Sequence, residues 1–504
     1  MTLIIKKIVI SIIFFFTLLL GSVDISGRAE YFYMARLKNA EIANIPFRLL
    51  DLNVQHQVND KFSIFGNVGI EYRNREDTDF MTSSDIEDFS FDLRKLYMSM
   101  YVGNGEIRVG KQIHSWGSVD ENSPLDNLNA YDYYYLLLGG SEKKLGSYSL
   151  AFDNQFNIGE EFFSFSFVFS PLHNTSRIPV NDPDYPIGLP AGSSPSALTT
   201  VLNDNTKEEY GINLKWLNDS SEISLSYLGL YDRIFNLSGL TVYTDQFNLG
   251  NVVEPLPRYS YRYTNALGLG TILLGDDFTL SFDYAYFSSN DQNNLNVFNS
   301  LSENPNYTGS TVDELFGAPF LDQNLTRAFE EKVKYSQFAI QFELPLEDDI
   351  RLNAQYFKHK IEEYSSNQLG LNCDDLVAAL PQFSSQDCQE VEDDLGMSLE
   401  NFEPQNLFIP GVGTPYALIT SEAILFNIEQ GFEDYDLIVD LNAFIDMDKG
   451  KGKLLSVEFE HDLGDGFELS YGITKIFGDD SIDNYNFNRM ESFSSFRSSI
   501  TYYF

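Results

Sequence analysis

The last fifty residues of the chain alternate apolar and polar side chains, and this pattern constrains the fold more than any other feature. The alternation runs through residues 455–463, 467–474 and 499–504. A period of two predicts β-strands with one apolar and one polar face. The last of these strands ends on Phe504. An exposed strand edge invites aggregation, and a closed barrel removes that edge by pairing its last strand with its first.

The start of the chain is typical of an exported protein. Lys6 and Lys7 precede an apolar run at residues 8–20, which is too short for a comfortable membrane-spanning helix. Residues 1–21 are therefore predicted to be a signal peptide, with cleavage near Gly21 or as late as about Ala29. Residues 30–504 are predicted to form one domain, because no linker interrupts the strand pattern. No later run of 18 apolar residues appears, so export to a Gram-negative outer membrane is expected.

Composition supports a membrane barrel and argues against several other classes. Aromatic residues make up 15% of the chain, with 30 Tyr and 42 Phe against 2 Trp, which suits aromatic girdles at two membrane interfaces. A soluble sandwich or propeller is the alternative. The net charge of −41 argues against nucleic-acid binding. It favours solvated acidic loops, attraction of cations, and divalent ions that bridge to anionic lipid, although solubility or life in salt would explain it as well.

Turn lengths predict the topology of the barrel. Short polar turns alternate with long segments at residues 116–143, 170–207, 232–257, 290–331 and 362–420. Barrels of this class have short periplasmic turns and long outer loops. The expected fold is an all-β, transmembrane antiparallel barrel of about 18 strands, or 16 if the strands near Tyr31 and Ala423 are omitted. The strand at 89–102 changes its apolar face, which predicts either a bulge near Arg94 or a strand covered on both sides.

The most specific stretch is RVGKQIHSWGSVDENSPLDNLNAYD at residues 108–132. It resembles the pattern Gly-Arg/Lys-Gln, Trp-Gly and Pro-x-Asp of a family of porin-like outer-membrane barrels, whose function is poorly defined. The matching residues are Gly110, Lys111, Gln112, Trp116, Gly117, Asp120, Pro124 and Asp126. Lys111 stands where the family more often has Arg. The resemblance implies the fold and an outer-membrane location, and that Gln112, Trp116 and Asp126 matter. Phe504 similarly resembles the C-terminal sorting signal that the barrel-assembly machinery recognises.

The same stretch also has a physical interpretation. A strand that runs into Trp-Gly and then a turn rich in Asn, Asp and Pro can anchor a loop at the barrel rim. Contact with a solute is the alternative. The aromatic run Tyr131, Tyr133, Tyr134 and Tyr135 could line a pore, but a packed loop or a rim girdle is the more common use of such a run.

Alternation along the strands also yields candidates for the pore lining. Polar side chains on the face opposite the apolar one are expected to face the lumen: Glu106, Arg108, Gln112, His114, Asp283, Asp436, Asp440, Glu458 and Glu460. The predicted function is passive or facilitated passage of a small solute, with a preference for cations because acids are in excess. A plugged barrel that transports apolar solutes, or a non-conducting adhesin or scaffold, are the alternatives.

The long segment at 362–420 contains both cysteines of the chain, Cys373 and Cys388. In an exported protein they are expected to form a disulfide. Two short helices are predicted here, and together they could form a lid or a plug. Glu390, Glu392, Asp393 and Asp394 could collect calcium, but they lack the spacing of a calcium loop, so a solvated acidic helix face is the preferred interpretation.

An enzyme is the remaining class. The chain has five His, and neither a Gly-x-Ser-x-Gly nor a His-Glu-x-x-His motif. An outer-membrane hydrolase is therefore the least favoured function, and no catalytic residue, cofactor or metal ligand is predicted. The strands begin too soon after the signal for a plug domain of receptor size, which argues against energy-coupled uptake. Expected partners are outer-membrane lipid, the assembly machinery and a small solute.

Overall fold

A computed structural model describes the barrel and the inner parts of its loops. The residues described are 23–43, 45–73, 89–136, 143–159, 161–179, 185, 207–244, 254–291, 323–366, 386, 405, 408–432, 436–482 and 485–504. In this part of the chain eighteen antiparallel strands form one closed sheet. The predicted fold class and the count of 18 are confirmed.

The barrel strands follow one another around the wall in chain order. They are β1 (Val23–Arg36), β2 (Pro46–Asn59), β3 (Phe62–Arg73), β4 (Phe89–Val102), β5 (Gly105–Gln112), β6 (Ser147–Ile158), β7 (Glu161–Ser170), β8 (Glu209–Leu217), β9 (Ser221–Tyr231), β10 (Tyr263–Leu274), β11 (Thr279–Asn290), β12 (Glu331–Pro345), β13 (Ile350–Ser366), β14 (Glu422–Phe432), β15 (Leu437–Asp446), β16 (Lys453–Gly464), β17 (Phe467–Phe477) and β18 (Ser495–Tyr503). β1 begins seven residues before position 30, where the sequence predicts the start of the barrel domain.

The seam between the first and last strands closes the barrel. β1 pairs with β18 from Arg28 opposite Tyr503 to Arg36 opposite Ser495. The Gly27 N–H donates to the Phe504 carbonyl at 2.9 Å, and the Phe504 N–H donates back to Gly27 at 3.0 Å. A Cβ atom at Gly27 would lie 2.4 Å from the Asp51 carbonyl oxygen, so the seam requires glycine there. The last strand therefore has no free edge, as its sequence pattern predicts.

The two ends of the barrel differ in the length of their connections. Short turns such as 60–61, 103–104 and 465–466 lie at the end where β1 begins and β18 ends. The opposite end carries the long connections, including 113–146, 232–262 and 367–421. The predicted alternation of short turns and long loops is confirmed.

A bulge in β4 reverses the face of its side chains. Asn67 of β3 pairs with Lys95, and the next residue Val68 pairs with Leu93, so Arg94 is the extra residue. The predicted bulge near this position is confirmed. Arg94 is buried and contacts the Asp51 carboxylate at 3.3 Å, because the bulge turns its side chain inward.

The outer face of the wall is apolar and the inner face is polar. On β7, Phe163, Phe165, Phe167 and Phe169 alternate with Ser164, Ser166, Val168 and Ser170. Val168 and Ser170 are buried inside. Leu267 and Leu225 on neighbouring strands are more than half exposed on the outside. An apolar exterior on a closed barrel is the arrangement that a hydrocarbon surrounding demands.

Smaller elements lie in the long connections. A three-stranded sheet contains Glu254–Ser260, Asn236–Thr244 and Gln323–Ala328 in that order, and Ala130–Tyr131 pairs with Lys144–Leu145. Short helices cover Tyr133–Tyr135, Pro415–Leu418, Asn486–Met490 and Glu491–Phe493. None of the helices in the described ranges is both long and apolar enough to cross a membrane. A buried cluster that includes Tyr133, Tyr135, Ile409 and Phe487 packs these segments together inside the long-loop end.

Candidate functional site

The connection between β5 and β6 turns into the barrel and contacts the inner face of its wall. We call residues 113–136 and 143–146 of this connection the inner loop. Its start is fixed to β6, because the Gln112 amide donates to the Ser149 carbonyl at 2.9 Å and the His114 ring contacts the Ser149 hydroxyl at 2.9 Å. The His114 N–H donates to the Asn129 side chain at 2.7 Å, which ties the two stems of the loop together.

The motif residues Trp116 and Asp126 hold the bend of the inner loop. The Trp116 N–H donates to the Asp126 carboxylate at 3.3 Å, and the Lys144 ammonium forms an ion pair with the same carboxylate. Gly117 has a φ of +135°, a conformation that glycine adopts without strain. Of the two interpretations of this stretch, structural anchoring therefore has direct geometric support.

The tip of the inner loop is hydrogen-bonded to the inner faces of β11 and β12. Asp283 of β11 accepts hydrogen bonds from the Ser118 N–H at 2.8 Å, the Val119 N–H at 3.0 Å and the Ser123 hydroxyl at 2.6 Å. Asp120 accepts from the Gln341 amide at 2.8 Å. A buried carboxylate that accepts several backbone N–H groups is a strong anchor, since charge-assisted hydrogen bonds are about twice as strong as neutral ones.

The wall beneath the inner loop is made of small residues. We call β8–β11 the covered wall. A Cβ atom at Gly211 would lie 2.9 Å from the Trp116 ring, and one at Gly268 would lie 2.4 Å from the Leu125 side chain. Trp116 and Leu125 are buried against these two glycines. Glycine is therefore required here because a side chain on the wall would displace the loop.

A second connection also turns inward and meets the inner loop. We call residues 408–421 the cap loop. The Gly413 N–H donates to the Asn127 side chain at 2.6 Å, and the Thr414 N–H donates to Gln337 of β12 at 2.8 Å. The Tyr335 hydroxyl donates to the Val412 carbonyl at 3.1 Å. The sequence predicts a lid or plug in this connection, but nothing in the pattern predicts that residues 408–421 pack beside the inner loop.

Buried arginines fix the roots of these loops. Arg262 is 0% exposed and lies between Asp232, at 2.7 Å, and Glu331, and it also donates to the Ile409 carbonyl of the cap loop. Arg233 donates to Glu209 at 2.8 Å and to the Asn127 carbonyl of the inner loop. In Arg262, each of the three guanidinium nitrogens donates a hydrogen bond, two of them to buried carboxylates.

A third arginine joins the inner loop to the connection after β7. Arg177 contacts Glu71 at 2.7 Å and Asp132 at 2.6 Å. The two carboxylates and their hydrogen bonds raise the pKa of Arg177 above its ordinary value, although burial opposes this. The Tyr135 hydroxyl donates to Glu71 at 2.9 Å. The aromatic run at 131–135 is accordingly packed into the wall, with Tyr135 1% exposed.

Two histidines at the loop roots are buried in their neutral form. Burial lowers the pKa of His114 to about 4. Burial also lowers the pKa of His173, although its hydrogen bond to Glu209 at 3.0 Å opposes the shift. Because both rings lie where loops meet the wall, their protonation would place charge inside the packing of the loops.

A cavity of about 620 Å³ lies between the inner loop and the other side of the barrel. We call the inner faces of β12–β16 and β18 the open wall. The cavity is lined on the loop side by Asp120, Glu121, Asn122, Leu136 and Lys143, and by Tyr416 of the cap loop. On the open wall it is lined by Gln341, Asn353, Gln355, Leu425, Phe426, Asn427, Asn442, Ala443, Phe444, Leu454, Ser456, Glu458 and Arg497. This lining is rich in amides.

Toward the short-turn end the open wall carries a stripe of carboxylates. The register places Glu429 opposite Asp440 and Asp440 opposite Glu458. Glu460 and Glu468 continue the stripe on β16 and β17, and Glu30 lies beyond it on β1. The arginines that lie among these acids are Arg28, Arg48, Arg351 and Arg497. The acidic stripe, defined as these six carboxylates, gives this part of the lumen a negative character.

The predicted pore-lining residues lie in four different places. Glu458, Asp440 and Glu460 lie on the open wall, and Glu106 and Arg108 lie on β5, where Arg108 pairs with Asp153 at 2.6 Å. Gln112, His114 and Asp283 do not face free lumen, because each is at most 4% exposed and holds the inner loop. Asp436 is exposed at the turn between β14 and β15.

The remaining motif residues and the cysteines can also be placed. Gly110 has a φ of +137°, Lys111 donates to the Leu93 carbonyl at 2.6 Å, and the Pro124 carbonyl accepts from Asn127 at 2.6 Å. Cys373 and Cys388 lie outside the described residues, as do Glu390, Glu392, Asp393 and Asp394. Among the residues that are described, no cluster of His, Cys, Asp and Glu could hold a metal ion.

Sequence reasoning missed the arginines and the cap loop. One sequence signal could have predicted these buried ion pairs. Asp232-Arg233 directly follows the apolar strand β9, and charged residues in that position need buried partners of opposite charge.

Comparison with known proteins finds similarity to solved structures of outer-membrane barrels. OccK11 (OpdR) of Pseudomonas aeruginosa is 10% identical, with 95% of each chain covered and a TM-score of 0.45. OccAB2 of Acinetobacter baumannii is 10% identical, with 96% of this chain and 98% of that chain covered and a TM-score of 0.44. The trimer form of OmpT of Vibrio cholerae is 9% identical, with 96% and 99% covered and a TM-score of 0.35. No family model and no curated protein matches the sequence.

Proposed function

We propose that the chain is an outer-membrane channel through which a small hydrophilic solute passes between the inner loop and the open wall. The observation that carries this proposal is the cavity of about 620 Å³, which lies inside a closed barrel and has charged and amide side chains on both sides. A volume of this size suits a small organic molecule with its water, since ligand pockets span roughly 300–1,000 Å³.

The proposed location rests on the two faces of the wall. The closed sheet leaves none of the described barrel strands with an unpaired edge, the outer face is apolar, and the long loops lie at one end. These three features together suit a bacterial outer membrane with the short turns in the periplasm. In this setting the outer face contacts lipid, the assembly machinery receives the β18 strand, and residues 1–21 serve as the export signal.

A preference for cations is part of the proposal. The acidic stripe begins on the open wall and continues onto β17 and β1, where ions would pass, and its six carboxylates outnumber the four arginines among them. A lumen lined by one sign of charge concentrates counter-ions and repels co-ions. Binding of divalent ions at the acidic loops is proposed on the same charge argument.

A plugged barrel is the second candidate, and one observation favours it. The inner loop and the cap loop are hydrogen-bonded to each other through Gly413 and Asn127, and together they occupy the covered half of the lumen. A barrel closed in this way would transport solute only when a loop moves. The proposal includes no catalytic step, because His114 is buried beneath the inner loop with Ser149 as its partner.

The experiment is single-channel recording of the refolded protein without residues 1–21 in a planar bilayer. Stable open steps are expected, and a salt gradient should give a reversal potential that favours cations. Addition of reductant tests the proposed Cys373–Cys388 bridge, since a rise in conductance would assign gating to that loop. A folded barrel that stays silent in both conditions would contradict the open channel and leave the plugged barrel.

A further inference from the structure

Several buried polar atoms belong to residues that line the cavity and have no protein partner among the described residues. Asn122 is 1% exposed, and among the described residues neither atom of its side-chain amide has a hydrogen-bond partner. The Gln355 amide oxygen and the Arg497 Nε atom are also without a partner in that part of the chain. All three residues line the same cavity of about 620 Å³. Buried polar atoms without partners cost free energy unless water or a ligand satisfies them.

Both cationic groups that line the cavity are already paired. Lys143 pairs with Glu121 at 2.8 Å and Arg497 pairs with Glu458, while Asp120 accepts from the neutral Gln341 amide. An anionic solute would therefore have to break an existing ion pair to find a counter-charge. The groups left to bind a solute are mainly neutral amides.

Amides of this kind line both sides of the cavity. Asn122 lies on the loop side, and Asn353, Gln355, Asn427 and Asn442 lie on neighbouring strands of the open wall. An amide offers donors and an acceptor at once, which matches a hydroxyl group, since a hydroxyl also donates and accepts. Tyr416 and Phe444 add an aromatic surface at the same cavity, with their ring centroids 5.2 Å apart. An aromatic surface buries apolar C–H groups well.

We infer that this cavity binds a neutral, polyhydroxylated solute of one or two sugar rings as it passes. The inference rests on the proposed channel, because it names the class of solute that the same lumen accepts. The hydroxyls satisfy Asn122, Gln355 and the open-wall amides, and one face of a ring packs against Tyr416. Because both cationic groups are paired, anionic solutes are excluded from tight contact, while small ions still follow the acidic stripe.

Calorimetric titration of the refolded, signal-free protein in detergent tests the inference. Maltose is the probe, and tetraethylene glycol dimethyl ether is the control solute, because it accepts hydrogen bonds and cannot donate them. Saturable binding of maltose in the millimolar range is expected, with no saturable heat from the ether. An absence of maltose binding, or equal binding of the ether, overturns the inference.

Matched variants locate the binding within the lumen. Asn122→Ala removes an amide that makes no protein hydrogen bond among the described residues, so the barrel should stay folded while maltose affinity falls about fivefold. Asn353→Ala, on the opposite side of the cavity, should weaken binding in the same way. Asn213→Ala is the control, since Asn213 is an equally buried amide on the covered wall. Equal losses in all three variants would overturn the assignment to this cavity.

Conductance separates this inference from the proposed channel. A conducting barrel whose current maltose does not reduce, and which gives no heat with maltose, contradicts the solute class and leaves the channel intact. A silent barrel that binds maltose with the expected loss in Asn122→Ala contradicts the open channel and leaves the binding site intact.

Discussion

The covered wall and the open wall have opposite chemistry although both are the inner face of one sheet. The covered wall presents Gly211, Gly268 and Asp283, whose carboxylate accepts hydrogen bonds from backbone N–H groups of the inner loop. The open wall presents amides and many charges to the cavity. On the covered wall, small residues and buried acceptors hold the inner loop in place. On the open wall, side chains that keep some hydrogen-bonding capacity free can contact water and solute.

The two walls also differ in how far the arginine of an ion pair is exposed to solvent. Arg262, at the root of the covered wall, is 1% exposed and its partner Asp232 is fully buried. Arg351, on the open wall, is 68% exposed and pairs with Glu429 at 3.2 Å. The first pair is a structural clamp, because loss of either partner leaves a buried charge, while water screens the second pair.

The largest difference between the walls should appear when these two arginines are replaced. Arg262→Met leaves Asp232 and Glu331 without their counter-charge, and we expect a loss of about 3–5 kcal/mol in the free energy of unfolding. Arg351→Met should cost less than about 1 kcal/mol. Urea unfolding in lipid vesicles, followed by Trp fluorescence, measures both. Equal losses would mean that the covered wall is not the rigid side of the barrel.

Acid should weaken the covered side through His114. Its pKa is about 4 in the folded protein and about 6.5 in an unfolded chain, so the folded form binds fewer protons between these values. The contribution of the neutral ring is complete above about pH 6.5 and is lost as the pH falls toward 4, by roughly 3 kcal/mol in total.

His114→Gln, which can still bond to Ser149, should flatten this part of the stability–pH curve. The difference between the wild-type and variant curves is the readout, because carboxylates that titrate in both proteins cancel. A variant curve with an unchanged slope between pH 4 and 6.5 would show that His114 is not responsible.

A smaller effect is expected from filling the contact between the covered wall and the inner loop. Gly268→Ala places a methyl group 2.4 Å from Leu125 and should cost about 1–3 kcal/mol by overpacking. Gly69→Ala on β3 is the control, since its nearest contact would be an ordinary 3.6 Å from Arg94. Thermal unfolding scored by gel mobility compares the two. A Gly268→Ala barrel as stable as Gly69→Ala would show that the loop yields easily.

The smallest effect, and the most specific to the open wall, concerns ion selectivity. Replacing Glu460 and Glu468 by Gln removes two charges from the acidic stripe and should move the reversal potential in a salt gradient toward zero. Glu222→Gln on β9, where the partner is Lys215 at 2.5 Å, is the matched control. If the control moves the potential as far as the double variant, the stripe does not set the preference.

The sequence predicted the barrel well because strand alternation is a local signal. The strand count, the alternation of short turns and long loops, the closing last strand and the bulge at Arg94 all follow from patterns within about fifteen residues. Strand ends were less accurate. Alternation predicts a barrel strand over residues 259–274, but Tyr259 and Ser260 belong to the small outer sheet and β10 begins at Tyr263.

The lumen was predictable only in part because its contacts join distant residues. Alternation correctly places Asp283 on the inner face of β11, but it does not reveal that Ser118 and Ser123 cover this carboxylate. Asp283 and His114 therefore looked like pore-lining groups in the sequence. The motif at 108–132 predicted an anchored loop at the barrel rim but not that this loop enters the lumen, and the cap loop and its partner Gln337 left no local pattern.

The hydrogen bonds of the inner loop have a consequence for the order in which the barrel assembles. The contact between Asp120 and Gln341 spans 221 residues, and that between Asp120 and Gln355 spans 235. Contacts of such long range form late, because the chain between them must first be ordered. Refolding should therefore pass through an intermediate in which the barrel is closed but the inner loop has not yet entered the lumen. The conductance of freshly inserted molecules should then fall in one step when the inner loop binds to β11–β13.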